Sequence, residues 1–544
     1  MPFSTRKQTK SLPHIIINAG PGVGKTSTMI AGLNILSGGK PDWEGTDEQK
    51  AIWAAMKGHY TSIGFQAFNK SIATEIQEKV PSNVKASTFH AFGLKVLREN
   101  GYKLKPNSNN VKFIVKDVQG YDKQDRQSSA DFKAGLCIAK IVGLLKGNLL
   151  EPTAENVNLM IDMFNVTVPD TLQVTTLVNM TKKVMKKCLD VKPGQSGYMD
   201  FDDMLWLPLK LDLDFKSSRF DLLICDESQD LNPIQHELVL KSGSRLICVG
   251  DRRQSIYGFR GADSRSMDTL KETLEKTDRG VVELSLQTTF RLPTSGVKNV
   301  NSFAPDLVAA DNAIDGEIEE TDISLMAPKV GDLVLSRINA NIFSMAFSLL
   351  RKKIGVRIQG RDFGNQLKKL LESVCKGCET VAEIQTNLAE YEKGEHDRIM
   401  QRTFPQRGLT ELEEKMACLY SLTGGCKSLT EMTKTIDELF SEDLPRSKVV
   451  LLSTVHRAKG MEADTVWFLE PQLIPHKLAE TENEIQQEFN LKFVAETRHR
   501  KKLVYVYPNN DRGGDRDEAE GRLDIADEVE EDWDELETSQ SRNS

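Results

Sequence analysis

The 544-residue chain has no apolar run near the ~18–20 residues that a membrane span requires. Close to its start only Ile15-Ile16-Ile17 interrupts polar text before Asn18, too short for the core of a secretory signal. Cysteine is sparse, and eight residues over this length exclude a disulfide-built scaffold. Cys225 and Cys248 sit inside strand-like runs and read as small core residues. Cys375 and Cys378 form a CxxC, but Cys418 and Cys426 stand eight apart, so the second tight pair that zinc prefers is missing. A surplus of positive charge is missing too. Net charge is −8; fourteen acidic residues and four arginines after Pro508 contribute −10, which leaves +2 for residues 1–508. A near-neutral body does not advertise nucleic acid, so any such case rests on local features.

What is present is ordinary globular text, 39% hydrophobic and 28% charged, too long for one core. Short apolar runs alternate with helical stretches, the pattern of a parallel α/β sheet. Ile15–Ala19, Thr61–Phe68, Val84–Ser87, Leu222–Cys225, Leu246–Val249 and Val281–Leu286 read as strands of a first core. Asp332–Leu335, Val449–Leu452, Thr465–Leu469 and Leu503–Tyr507 read as strands of a second. Between Arg98 and Tyr198, and again between Asp362 and Pro445, the text is helical without a convincing strand. The acidic, glycine-bearing end after Pro508 is expected to be disordered.

The first core opens on chemistry. Ile15–Asn18 leads into Ala19-Gly20-Pro21-Gly22-Val23-Gly24-Lys25-Thr26-Ser27, and Met29, Ile30 and Leu33 follow at helical spacing. Strand, glycine-rich loop and helix make a phosphate cradle: backbone N–H groups wrap the anion, Lys25 reaches the β/γ-phosphates, and Thr26 can ligate magnesium. At the end of a later apolar strand stand Asp226 and Glu227. Asp226 suits the magnesium, and Glu227 suits the orientation and deprotonation of an attacking water. After the next strand come Gln254, Tyr257, Phe259 and Arg260, able to sense a phosphate on one side and a polymer on the other.

With these elements in this order the chain resembles superfamily 1 DNA helicases of the UvrD/Rep type. The resemblance covers nearly all of residues 12–508. It rests on Ala19–Ser27, Phe68–Ala73, Ser87–Phe92, Asp226–Asp230, Gly250–Ala262, Thr289-Phe290-Arg291, Ser336–Ala340, Ser453–Glu462 and Phe493–Arg498. It implies an α/β fold of two RecA-like P-loop parallel-sheet domains, each carrying a mainly helical insertion. The expected boundaries are 1–98 and 205–285 for the first domain, with 99–204 as its insert. The second comprises 286–362 and 446–508, with a reduced insert at 363–445 like that of compact, phage-type or F-box-helicase-like members.

The resemblance also implies roles. ATP and Mg2+ are the expected cofactors, with Ala19–Ser27 on the phosphates and Thr26 and Asp226 on the metal. Lys25, Asp226, Glu227, Gln254, Arg291 and Arg498 form the catalytic set, with both arginines supplied by the second lobe as it closes. Phe290 stacks on the base in place of the family's tyrosine, and Glu462 touches the ribose. The family's adenine-reading glutamine precedes the phosphate loop, where Gln8 is the candidate. Single-stranded DNA is expected to meet Phe68, Asn69, Lys70, Phe89, His90, Phe259, Arg260, Arg337, Thr454 and His456. Phe259 is the chief stacking residue, while Phe68 reads equally well as core.

The function implied is ATP-dependent unwinding of duplex DNA by 3′–5′ translocation on one strand, with forked DNA as a substrate. The alternative is a single-strand translocase that strips proteins, or a partner-dependent subunit with no unwinding activity of its own. An intracellular, cytoplasmic setting in a bacterium or phage-infected host is expected, away from membranes. The acidic tail reads as a solubilising end, or, through Trp533 and Leu536, as a docking segment for a replication or repair partner or a mimic of DNA.

Overall fold

The central strands of each sheet are continuous apolar runs because both of their faces are covered. The computed structural model describes residues 12–508 apart from 68, 123–126, 165, 170, 257–264, 401–405, 442–444 and 480. The first of two units comprises the chain to Ala313 together with 406–408, and the second comprises Ile314–Met400 and Leu409 onward.

In the first unit β1 (His14–Ala19), β2 (Ile63–Ala67) and β3 (Val84–Thr88) precede two short strands, β4 (Lys103–Pro106) and β5 (Ser196–Met199). Then come β6 (Phe220–Cys225), β7 (Gly243–Gly250) and β8 (Val281–Leu286). The main sheet has the order β3-β2-β6-β7-β1-β8 with every pair parallel. Helices α1 (Lys25–Leu36), α2 (Asp47–Met56), α3 (Lys70–Lys79) and α4 (Phe89–Glu99) follow the first strands. The insert holds α5 (Asn110–Val118), α6 (Ser129–Gly147), α7 (Ala154–Met163) and α8 (Val174–Cys188). After it, α9 (Phe201–Lys210), α10 (Pro233–Ser242) and α11 (Ser266–Glu275) return the chain to the sheet. One apolar cluster runs from Phe92 and Val96 through Ile141 and Leu177 to Leu223 and Leu246, so insert and sheet share a core.

Two expectations change here. The stretch between Arg98 and Tyr198 contains strand after all: β4 and β5 pair in parallel, Lys103 with Ser196 to Pro106 with Met199. Their four-residue, largely polar text carries little apolar periodicity. The lobe boundary also moves, from 285/286 to 313/314. Residues 286–313 include the two-residue strands β9 (Thr288–Thr289) and β10 (Val308–Ala309), with α12 (Thr294–Asn299) between them. Hydrogen bonds from this segment to the phosphate loop explain its membership of the first unit.

The second unit repeats the plan. Its strands are β11 (Glu317–Asp322), β12 (Leu333–Ser336), β13 (Val356–Ile358), β14 (Val450–Thr454), β15 (Ala463–Leu469) and β16 (His499–Tyr507). They lie in the order β11-β16-β15-β12-β14-β13, again parallel. Helix α13 (Asn339–Arg351) connects β12 to β13. Between β13 and β14 the described residues form α14 (Arg361–Val374), α15 (Val381–Met400), α16 (Gln406–Thr423) and α17 (Leu429–Leu439). Helix α18 (Glu482–Glu496) leads into β16. Cys375 and Cys418 lie in the apolar core that this insert shares with the sheet.

Candidate nucleotide and nucleic-acid site

In a parallel sheet with helical crossovers, ligands gather at the carboxyl ends of the strands. The loop leaving β1 turns on two left-handed glycines, Gly22 at φ 71° and Gly24 at φ 76°. Gly24 is the residue before α1, so Lys25 and Thr26 open the helix whose unpaired N–H groups face the loop. Lys25 Nζ donates to Ala19 O at 3.4 Å, folded back over the loop that it would leave for a phosphate. Thr26 Oγ1 donates to Asp226 Oδ2 at 3.1 Å, joining residues 200 positions apart at one point.

Asp226 is buried, and Glu227 adds a neighbouring negative charge. Those two effects, burial first, lift its carboxyl to about 6 against Lys25 and the hydrogen bonds from Glu227 N and Thr26. A hydroxyl and a carboxylate held together in a negative field suit a hard cation such as Mg2+. Glu227 is itself in the left-handed region, φ 52° and ψ 42°, a cost of ~1–3 kcal/mol that side chains bear at working sites. A cleft of about 380 Å3 opens beside Thr26, Ser27, Asp226 and Glu227 and runs between α1 and α3.

Behind Glu227 the structure shows a relay that the sequence reading did not assign. Gln229 Nε2 donates to Glu227 Oε2 at 2.5 Å, and Gln229 Oε1 accepts Asp251 N at 3.1 Å. Gln254 Nε2 then donates to Asp251 Oδ2 at 2.7 Å. Gly250 makes room: a Cβ there would stand 2.4 Å from Gln229 Oε1. Glu227 and Gln254 are thus joined through Gln229 and Asp251. The Asp-Glu-x-Gln text contained this signal, but only the fold shows what the glutamine reaches.

A second glutamine lies near the loop. Gln8 lies outside the described residues, whereas Gln49 on α2 packs against α1. It closes a capping box with Thr46 and donates Nε2 to Thr28 Oγ1 at 3.1 Å. Thr28 in turn bonds Gly24 O, and Trp53 Nε1 donates to Thr28 O. Thr46-x-x-Gln49 is legible as a helix start, but it follows the phosphate loop instead of preceding it.

Phe290 and Arg291 lie beside the loop. Phe290 N donates to Gly22 O at 2.9 Å and its ring is exposed. Arg291 therefore belongs to the first unit, not to the second as expected.

Asn69 and Thr88 cap α3 and α4 at the ends of β2 and β3, on the same strand edge as the phosphate loop. Lys70 opens α3 and is exposed. His90 meets Phe201 edge-on at 6.2 Å, and burial lowers its pKa, which favours the neutral imidazole. Phe201 and Tyr198 are both exposed. Phe89 is a correction: it is 5% exposed and part of the core, because the first turn of α4 points it inward beside Phe92. Phe68, Phe259 and Arg260 lie outside the described residues.

In the second unit, Arg337 is held by a carboxylate. Its Nε and Nη2 grip both oxygens of Glu488 at 2.7–3.1 Å, and Glu488 further accepts His476 N. One edge of the guanidinium, formed by Nε and Nη2, is spent on this buried carboxylate. Arg498 is buried, with Nε on Val494 O and Nη2 on Thr497 Oγ1. Thr454 ends β14 and is buried, His456 is half-buried in the turn after it, and Glu462 is exposed beside Arg500.

A phosphate loop at one strand end, a metal-suited pair at another and helix N-termini alongside define a P-loop nucleotide-binding protein. Residues 3–275 match the UvrD/REP helicase N-terminal domain, and residues 299–510 match the UvrD-like helicase C-terminal domain. The chain belongs to the UvrD/Rep helicase family, with two RecA-like parallel-sheet domains. It is 22% identical over 504 residues to F-box DNA helicase protein 1 of Schizosaccharomyces pombe, covering 85% of this chain and 54% of that protein. It is 28% identical over 290 residues to ATP-dependent DNA helicase Rep of Buchnera aphidicola, covering 48% and 38%. The chain therefore spans about half or less of the curated relatives' length.

Proposed function

We propose that the chain is an ATP-dependent DNA helicase that translocates 3′ to 5′ on single-stranded DNA and unwinds duplex. The observation that carries the reading is the convergence of Thr26 with Asp226 and the relay from Glu227 to Gln254, on the strand edge that also bears Asn69, Lys70 and His90. ATP with Mg2+ would supply the phosphoryl group transferred to water. Ala19–Ser27 would hold its phosphates, with Thr26 and Asp226 toward the metal. Glu227 takes the proton of the attacking water, and Gln229 holds its Oε2 in place. Arg291 stabilises developing negative charge, a contribution of ~10³–10⁵ in rate for finger arginines. Phe290 stacks on the base, and Gln49, with one N–H and one lone pair still to offer, replaces Gln8 as the residue that reads it. The roles of Arg498 at the γ-phosphate and Glu462 at the ribose rest on the family resemblance.

For DNA, the helix N-termini at Asn69 and Thr88 offer backbone N–H groups to phosphates, with Lys70 beside them. His90 with Phe201 gives a face for a base, worth ~1–3 kcal/mol by stacking. Phe68, Phe259, Arg260, Thr454 and His456 keep the contacts expected of them from sequence.

Strand displacement on 3′-tailed and 5′-tailed duplexes tests the reading. ATP-dependent displacement of the 3′-tailed substrate alone is expected. ATP hydrolysis with translocation but no displacement would assign the chain to protein-stripping translocases or partner-dependent subunits. Displacement from the 5′ tail would reverse the polarity.

A further inference from the structure

The segment after β8 continues the strand pairing into the phosphate loop. Gly20 N donates to Leu286 O at 3.2 Å, and Phe290 N donates to Gly22 O at 2.9 Å. Between these two ties stands Thr289, fully buried. Its hydroxyl donates to Pro21 O at 2.8 Å and accepts the N–H groups of Arg291 and Leu292, each at 3.4 Å. A hydroxyl offers one hydrogen and two lone pairs, so this one is saturated. Glu48 holds the approach, accepting Gln287 N at 2.9 Å and Thr288 N at 3.3 Å. The fit is close: a Cβ on Gly22 would lie 2.4 Å from Arg291 Cβ and 2.8 Å from Thr289 Oγ1.

We propose that Thr289 is a positioning residue which seats Arg291 on the phosphate loop, so that this arginine belongs to the nucleotide site from the outset. The proposal rests on the ATPase reading above. Thr289 is buried with its hydroxyl fully engaged, so it acts by fixing where the backbone of residue 291 begins. The loop carbonyl at Pro21 and the turn at 290–292 share one oxygen, so a shift of the loop is passed directly to Arg291. Misplacing a charge-stabilising group by about 1 Å can cost on the order of 10²-fold in rate.

The test is a double-mutant cycle on steady-state ATP hydrolysis with saturating single-stranded DNA. T289V, which keeps shape and loses the hydroxyl, is expected to lower kcat roughly 10–100-fold with KM for ATP within about threefold. T289S is expected to restore kcat to within about threefold of the parent. In an R291A background, T289V should cost less than about threefold more, because the group it positions is gone. Wild-type kcat in T289V, or full multiplication of the T289V and R291A losses, would overturn the proposal. If T289V does not fold, T289A is measured in its place with the same criteria. A wild-type chain that hydrolyses no ATP would instead overturn the ATPase reading.

Discussion

At the scale of single residues, Gln229 and Gln49 carry the readiest tests. Both are amides whose two ends are committed to different partners, which fixes their orientation. Gln229 faces a carboxylate with its NH2 and a backbone N–H with its oxygen. Q229E would set a second carboxylate against Glu227. It is expected to lower kcat by at least ~10-fold, and Q229A by less, with ATP affinity little changed in either. Gln49 differs: Q49A should raise KM for ATP several-fold and narrow the preference for ATP over GTP, with kcat nearly kept. An unchanged ATP/GTP ratio would remove it from base recognition. Neither set of contacts could be read from the chain alone. A glutamine three places after a threonine looks like a local cap, and it is one, but its outward contact with Thr28 exists only once α1 and α2 pack.

At the scale of elements, the sheets were largely legible and their edges were not. β1, β6, β7 and β14 each contain a run of buried apolar residues, so period and composition agree. β11 reads Glu-Ile-Glu-Glu-Thr-Asp, an edge strand whose carboxylates meet Lys502 on β16, and no apolar pattern announces it. The lobe boundary was misread for a related reason. Val281–Leu286 looked like the end of a core, but hydrogen bonding to the phosphate loop extends that core through Arg291. Helix α2 shows how one buried residue places an element. Arg245 on β7 donates to Ala55 O at 2.8 Å, Met56 O at 3.2 Å, Lys57 O at 3.3 Å and Pro13 O at 2.7 Å, and also to Tyr60 Oη. A cation at the carboxyl end of a helix is favourable, and here it is the helix's anchor. R245M is expected to lower the melting temperature by several degrees and to weaken ATP binding together with Q49A, less than additively.

At the scale of the whole molecule, buried charge and buried neutral histidine set stability. Lys146 of α6 is fully buried against Asp200 at 3.0 Å and Asp203 at 2.6 Å, which joins the insert to the start of α9. Removing one partner of such a group leaves uncompensated charge, so K146M should cost about 3–5 kcal/mol in denaturant unfolding. A loss below ~1 kcal/mol would show the cluster to be dispensable. His14 and His499 are both held down to about 4, chiefly by burial, with Arg279, Arg245 and Arg219 adding to the effect at His14. Each therefore stays neutral when folded and takes up a proton on unfolding below its ordinary 6.5. Stability from this source is complete above pH 6.5 and is lost as pH falls toward 4. Melting temperature should decline across that window, and H14N with H499N should flatten the decline. The claim on which the functional account depends is narrower: the Glu227 corner must hydrolyse ATP when DNA is engaged. ATP turnover with and without single-stranded DNA, in the wild-type chain and in E227Q, measures it most directly. The account predicts strong DNA stimulation in the wild type and a fall of ~10²–10⁴-fold in E227Q with nucleotide binding retained. Comparable turnover by both chains, whatever the DNA, would contradict it.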